Sequence, residues 1–282
     1  MGSTILISIL VLGGLGIVGS VVLWGVARRF HVEEDPRIGE IEKVLPGANC
    51  GGCGHSGCHD FAATCAGAQS LDRLNCPVGG DGVMRRIAAI TGHAAAASEP
   101  RVAVVKCGGE CGKRTRSAAY SGPASCAVAA TLGAADGGCP FGCLGCGDCA
   151  HACKWGAITI DGTTGIPVVD QERCTGCGAC AATCPRSLIE LRAIGPRGMR
   201  VWVACSNHER GPVAVKECKA ACIACGKCVR VCTHDAITVS GNVAYIDGSK
   251  CRLCGKCVAE CPTGAIRPAN FPVKKPVKAA TA

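Results

Sequence analysis

Residues 139–153 read CPFGCLGCGDCAHAC and hold five cysteines, at positions 139, 143, 146, 149 and 153. A tetrahedral metal site or a four-iron cubane needs four sulfurs, so this run carries one more than either. The stretch recurs: CKAACIACGKCVRVC, residues 218–232, has cysteines at all five equivalent positions, 79 residues further on. Upstream, Cys126 lies 13 residues before Cys139 and Cys205 lies 13 before Cys218. Downstream, CTGCGACAATCP (174–185) matches CRLCGKCVAECP (251–262) at an offset of 77. Ten cysteines in one half therefore find ten in the other, and an internal duplication explains them.

Composition says why cysteine matters here. The chain has 282 residues, 27 of them cysteine, with 40 glycines and only 3% aromatics. A core of large apolar side chains would be thin, so disulfides or metal must hold the segments. Tight runs with two or three residues between cysteines wrap a chain around one inorganic centre and do not staple distant loops. Zinc knuckles use paired CxxC elements separated by a longer loop, and do not require a CxxCxxCxxxC run.

Each half holds two CxxCxxCxxxC runs, the bacterial ferredoxin pattern in which the fourth cysteine ligates the other cluster. Crossed ligation then predicts one [4Fe-4S] cluster on Cys143, Cys146, Cys149 and Cys184, and its partner on Cys174, Cys177, Cys180 and Cys153. The second half repeats this with Cys222, Cys225, Cys228 and Cys261, and with Cys251, Cys254, Cys257 and Cys232. Short hairpins are predicted between the runs, at 157–160 with 166–169 and at 236–239 with 243–246. Cys153 and Cys232 are followed by Lys154 and Thr233 where the pattern has proline, which alters the local turn and not the ligand count.

The spare thiols form a matched set. Cys126, Cys139, Cys205 and Cys218 could together make a sixth site, with Cys107 and Cys111 as alternative donors; duplicated packing would match equally well. The expectation is five to six [4Fe-4S] clusters.

Ahead of the duplication lies a separate unit. Asp35-Pro36 reads as an N-cap and first helical residue, followed by Ile38, Ile41, Val44 and Leu45 at helical spacing. Cys50, Cys53, Cys58 and Cys76 then suit one [4Fe-4S] cluster, while Cys65 sits in a predicted helix as a packed thiol. His55 and His59 flank this group as exposed or packing residues. Further upstream, residues 5–27 (ILISILVLGGLGIVGSVVLWGVA) are uncharged and long enough to span a bilayer, with Arg28 and Arg29 immediately after. The positive-inside rule places the chain from residue 28 onward in the cytoplasm, and no basic residue precedes the run as a cleaved signal would want. Gly14 to Gly19 fits GxGxxG, but no strand or βαβ unit surrounds it; Gly13, Gly16 and Ser20 instead make a small-residue face for packing on another membrane helix.

The single N-terminal helix, the CGGCGHSGC…CP unit (50–77) and the double ferredoxin region with CLGCGDC together resemble the B subunits of the Rnf complex, the ion-translocating ferredoxin:NAD oxidoreductase. The N-terminal cysteine unit is also similar to one in corrinoid iron–sulfur proteins, without a corrinoid domain here. The Rnf resemblance covers nearly the whole chain. It implies a subunit on the cytoplasmic face of the cell (inner) membrane. Such a subunit takes single electrons from reduced ferredoxin and passes them to membrane subunits and to a flavin- and NAD-binding subunit. This chain itself would carry no flavin or NAD and make no bond to an organic substrate. A membrane-anchored polyferredoxin serving another redox enzyme, such as a hydrogenase, is the alternative.

The predicted class is α+β: a transmembrane anchor at 1–29, a small α-rich iron–sulfur domain at 35–91, a linker at 92–100, ferredoxin-like units at 101–192 and 193–267, and a basic tail at 268–282. The formal charge of +9 counts cysteines as neutral, and each four-thiolate cluster would bring about −2. Scarce aromatics argue against nucleic-acid binding. Lys113, Arg114 and Arg116, with Lys274, Lys275 and Lys278 in the tail, are a solvated face or a dock for an acidic ferredoxin.

Overall fold

The computed structural model describes residues 2–29, 34–94, 99–115, 120–132 and 138–272. Arg116 and the tail lysines at 274, 275 and 278 lie outside these.

Helix α1 (Gly2–Arg29) carries the apolar side chains of Ile7 and of Ile9 to Val26 in the open. Its stretch Ile9–Val26 has a mean hydropathy of 2.3 and none of it is buried, so it is long and apolar enough to cross a membrane. The Ser20 hydroxyl donates back to the Gly16 carbonyl at 2.8 Å, which spares the helix an unpaired polar group in an apolar setting. The Arg28 guanidinium stands 4.7 Å from the centre of the Trp24 ring, a cation–aromatic pair of the kind found at a membrane boundary.

Three helices come next: α2 (Pro36–Val44), α3 (Cys58–Gly67) and α4 (Gly80–Thr91). Asp35 caps α2 as the sequence predicts, its carboxylate accepting the Arg37 amide at 2.9 Å. The helices bury Ile41, Phe61, Leu71, Met84 and Ile87 against one another, with Cys65 wholly enclosed among them. Gly92 ends α4 in the left-handed conformation, φ 76°, returning its amide to Ala88.

The remainder is built twice. The first set runs β1 (Arg101–Val105), α5 (Cys126–Thr131), α6 (Asp148–His151), β2 (Ile158–Ile160), β3 (Pro167–Val169), α7 (Ala179–Thr183) and β4 (Ile189–Ala193). The second runs β5 (Arg200–Val203), α8 (Gly211–Glu217), α9 (Lys227–Val231), β6 (Ile237–Ser240), β7 (Val243–Ile246), α10 (Lys256–Glu260) and β8 (Ile266–Ala269). In each, the inner strands make the antiparallel hairpin predicted from sequence, Ile158 opposite Val169 and Ile237 opposite Ile246. The first and last strands also pair antiparallel, Arg101 opposite Ala193 and Arg200 opposite Ala269, closing each set end to end.

Cysteine is part of the core itself. Cys149 and Cys180 pack with Ala103, Ile158 and Ile189 in the first set; Cys222, Cys228 and Cys257 pack with Val201, Ile237 and Ile246 in the second. The two sets are stitched backbone to backbone. The Gly108 amide donates to Ala204 at 2.7 Å, Thr115 to Glu217 at 2.9 Å and Lys219 to Lys113 at 2.7 Å. Buried Arg192 spans the seam, donating to the Val201 carbonyl at 3.2 Å and to Ile246 at 2.7 Å.

Candidate iron–sulfur centres

Each short helix within a cysteine run begins the same way. Gly147, Gly178, Gly226 and Gly255 follow the second cysteine of their runs with φ of 92°, 83°, 70° and 74°. Only glycine takes that conformation without strain. The reversal swings the third cysteine (Cys149, Cys180, Cys228 and Cys257) inward, where all four are buried.

The fourth sulfur of a set comes from the opposite run. Cys222, Cys225, Cys228 and Cys261 line one hollow of about 360 Å³. Cys143, Cys149 and Cys184 line another of about 390 Å³. Burial pushes the Cys251 thiol up, with Cys254 and Cys232 near enough to add to the shift, and Cys153 packs in the same cluster as Cys174 and Cys180. Backbone amides turn toward the crossing sulfurs: Ala157 N–H to Cys153 Sγ at 3.3 Å and Leu188 N–H to Cys184 Sγ at 3.4 Å. Such N–H···S bonds favour thiolate and tune the potential of a cluster it holds.

The N-terminal set is arranged by different means. Cys50, Cys53, Cys58 and Cys76 line a hollow of about 330 Å³ between α2 and α3. Asn49 holds the loop, its side-chain oxygen accepting the Cys58 amide at 2.7 Å, and the Gly79 amide points at Cys76 Sγ at 3.3 Å. Cys65 does not line the hollow.

The donor chemistry fits cubanes. Burial pushes the Cys143 and Cys180 thiols up to about 12, and Cys149 and Cys257 to about 11, so they are neutral until a metal displaces the proton. Among the described residues no three His, Cys, Asp or Glu side chains converge closely enough for a single ion. A zinc ion would draw four sulfurs to about 2.3 Å from one point. The hollows lined by the Cys222, Cys143 and Cys50 sets would each suit a cubane, which takes one thiolate on each of four irons.

The comparisons with known proteins agree with this chemistry. A 4Fe-4S dicluster domain family matches residues 142–188 and 221–265, and a putative Fe-S cluster family matches 45–77. The B subunit of the Na(+)-translocating ferredoxin:NAD(+) oxidoreductase complex of Acetobacterium woodii is 42% identical over 252 residues, covering 89% of this chain and 74% of that protein. The chain belongs to the Rnf B-subunit family. Two more members of the family match almost end to end. The B subunit of the proton-translocating ferredoxin:NAD(+) oxidoreductase complex of Clostridium ljungdahlii is 38% identical over 94% of this chain and 93% of its own length. The B subunit of the ion-translocating oxidoreductase complex of Methanosarcina acetivorans is 39% identical over 94% and 99%.

Within this Rnf B-family chain the other residues singled out by sequence find definite places. His59 pairs with Glu42 at 3.1 Å, which raises its pKa, and His55 packs edge-on to Phe61; neither lines the cysteine hollow. Lys113 and Arg114 are not a free basic face. Lys113 pairs with Glu110 at 2.7 Å, and half-buried Arg114 donates to the Cys143 carbonyl at 2.6 Å. The spare cysteines regroup. Cys126 lines the hollow of Cys143, Cys149 and Cys184, apart from the set to which its spacing assigned it. Cys111 is exposed, its sulfur lying over Gly165. Sequence spacing paired Cys126 with Cys205, but the strands pair Cys107 with Cys205: each lies two residues beyond the first strand of its set.

Proposed function

We propose that this chain is the iron–sulfur subunit that carries electrons one at a time from reduced ferredoxin into an ion-translocating ferredoxin:NAD oxidoreductase. Family membership and the dicluster domains support the role. When bound, each [4Fe-4S] cluster takes up and releases one electron. The protein supplies the ligands, the spacing and the exclusion of water. We assign five clusters to the twenty cysteines of the five sets, with the domain limits read from the sequence except the last: β8 pairs with β5 as far as Ala269, so the second unit runs past residue 267. Helix α1 is assigned as a single span, with the cysteine-rich remainder on the cytoplasmic side beside Arg28 and Arg29. The flavin- and NAD-binding chemistry and the ion pump belong to partner subunits.

The observation that carries the reading is contiguity. A Cβ on Gly52, in the loop between Cys50 and Cys53, would meet the Cys177 carbonyl at 2.5 Å, so the N-terminal set abuts the first ferredoxin-like unit. Cys149 lies within electrostatic reach of Cys180, and Cys228 of Cys257. Neighbouring sets in contact are what electron transfer requires, and a set of isolated structural knuckles would have no need of it.

The docking of ferredoxin is assigned to the second unit. There Cys225 and Cys254 are exposed, each followed two residues later by an exposed lysine, Lys227 and Lys256. The first unit has Asp148 and Ala179 at those positions. Gentle purification from membranes tests the whole reading. Flavin-containing partners that reduce NAD with ferredoxin support it. Nickel-containing partners overturn it in favour of a hydrogenase-linked polyferredoxin.

A further inference from the structure

Seven of the 27 cysteines fall outside the five sets, and four of them meet at the seam between the ferredoxin-like units. Cys107 and Cys139 come from the first unit, Cys205 and Cys218 from the second. The contributions are equivalent. Cys107 and Cys205 each follow a first strand by two residues, and Cys139 and Cys218 each precede a CxxCxxCxxxC run by four. Even the hydrogen bonds repeat: the Cys143 amide donates to Cys107 Sγ at 3.4 Å, and the equivalent Cys222 amide donates to Cys205 Sγ.

Two residues show how close the four lie. A Cβ placed on Gly109 would stand 3.5 Å from both Cys107 Sγ and Cys218 Sγ. Asn207 touches the other two, its amide N–H reaching Cys205 Sγ and its side-chain Nδ2 reaching Cys139 Sγ, each at 3.5 Å. Asn207 is only 1% exposed; its Nδ2 also donates to the Glu217 carboxylate at 2.7 Å, and its side-chain oxygen accepts the Glu209 amide at 2.8 Å, so the side chain is held in place over the sulfurs. A buried amide aimed at a sulfur is a costly arrangement unless the sulfur is an acceptor worth donating to. Burial pushes the Cys139, Cys205 and Cys218 thiols up, and Cys107 lies near enough to all three to add to the shift. Lys113 and Arg114 lie beside Cys218 and counter its charge. The backbone bonds from Gly108, Thr115 and Lys219 clamp the loops around this point.

We propose that Cys107, Cys139, Cys205 and Cys218 hold one further [4Fe-4S] cluster, shared between the two units and seated between the Cys143 set and the Cys222 set. The proposal rests on the iron–sulfur reading above and extends it to a site that neither ferredoxin-like unit could form alone. It replaces Cys126 with Cys107 in the ligand set that spacing suggested. Assembly consumes four irons and four sulfides from the supply that fills the other sets, and the four thiols each release a proton.

The test is iron, sulfide and zinc per full-length chain, prepared anaerobically in detergent, with electron paramagnetic resonance of the reduced protein. The expected wild-type value is about 24 irons, falling to about 20 in Cys107→Ser with Cys218→Ser and staying at about 24 in Cys126→Ser. About 20 irons in the wild type overturns the sixth cluster and leaves the five-cluster reading standing; far fewer than about 20 overturns both. About one zinc beside about 20 irons overturns the cluster in favour of a zinc seat. Iron lost from Cys126→Ser but not from Cys107→Ser overturns the ligand set. Asn207→Leu guards against misfolding: it should keep about 24 irons and move one resonance to a lower midpoint potential. Unmoved resonances overturn the placement of Asn207 on this cluster.

Discussion

Gly52 stands directly over Cys177, so that a methyl group there would lie 2.5 Å from the Cys177 carbonyl oxygen and 3.0 Å from its Cβ. Gly52 needs no left-handed backbone, so what glycine provides here is room. Two cysteine loops from different units are thereby brought into backbone contact. Gly52→Ala should open this contact, at a cost of about 1–3 kcal/mol for overpacking, while leaving all four N-terminal ligands in place. We expect an unchanged iron content, faster amide exchange across residues 48–54 and slower ferredoxin-dependent NAD reduction by the complex. Unaltered exchange would show that the loops do not pack this way in solution.

Lys154 occupies the position where ferredoxin runs carry proline, and the structure gives it work across the same junction. Its ammonium group donates to the Ala48 carbonyl at 2.9 Å and to Asn49 at 3.1 Å. The equivalent Thr233 in the second unit has no N-terminal domain to hold. Lys154→Pro, which restores the ferredoxin pattern, should therefore weaken docking of the N-terminal unit by about 1 kcal/mol, small because the lysine is exposed. The matching Thr233→Pro change should leave docking untouched. Limited proteolysis between residues 92 and 100 would report the difference, and equal cleavage of the two variants would refute it.

The fold was legible where local sequence determines it. The inner hairpins and the Asp35 cap follow from local sequence, because each is fixed within a few residues by turn geometry or a capping side chain. The outer pairings of β1 with β4 and β5 with β8 were not legible. RVAVV (101–105) is short and its partner lies at Ile189–Ala193, so nothing local announces the pair. With that pairing unseen, spacing set Cys126 opposite Cys205. Counting back from Cys139 gave the same 13 residues as counting back from Cys218, but the first unit carries extra chain between β1 and α6. Only the strands reveal that Cys107 is the counterpart of Cys205. Likewise Lys113 and Arg114 looked like a free basic face because their partners, Glu110 excepted, are backbone atoms that charge counting does not see.

Cys65 separates a packed thiol from a ligand. It is fully buried among Ile41, Phe61 and Met84, and burial pushes its pKa up to about 11. It does not line the hollow formed by Cys50, Cys53, Cys58 and Cys76. Cys65→Ala should keep the full iron content and cost about 1 kcal/mol of stability, the scale for deleting one buried heavy atom. Cys58→Ala should lose about four irons. Iron analysis of the two variants side by side decides the point, and iron loss from Cys65→Ala would make Cys65 a ligand.

The second unit presents its sulfurs to solvent beside positive charge, and the first does not. Lys227 and Lys256 open the short helices that follow exposed Cys225 and Cys254, and Arg230 and Arg252 are exposed nearby. An acidic ferredoxin meeting this face would be steered by charge, an effect that raises encounter rates and fades as salt shortens the Debye length to about 10 Å at 0.1 M. Lys227→Glu with Lys256→Glu should slow reduction of the chain by ferredoxin at low salt, leave its iron content unchanged and lose most of its effect at high salt. Charge reversal at Arg114 is a poorer probe, since it would break the bond to the Cys143 carbonyl and disturb a ligand loop. Stopped-flow bleaching of the chain by reduced ferredoxin across a salt series measures the effect. A low-salt rate equal to wild type would move the docking face off the second unit.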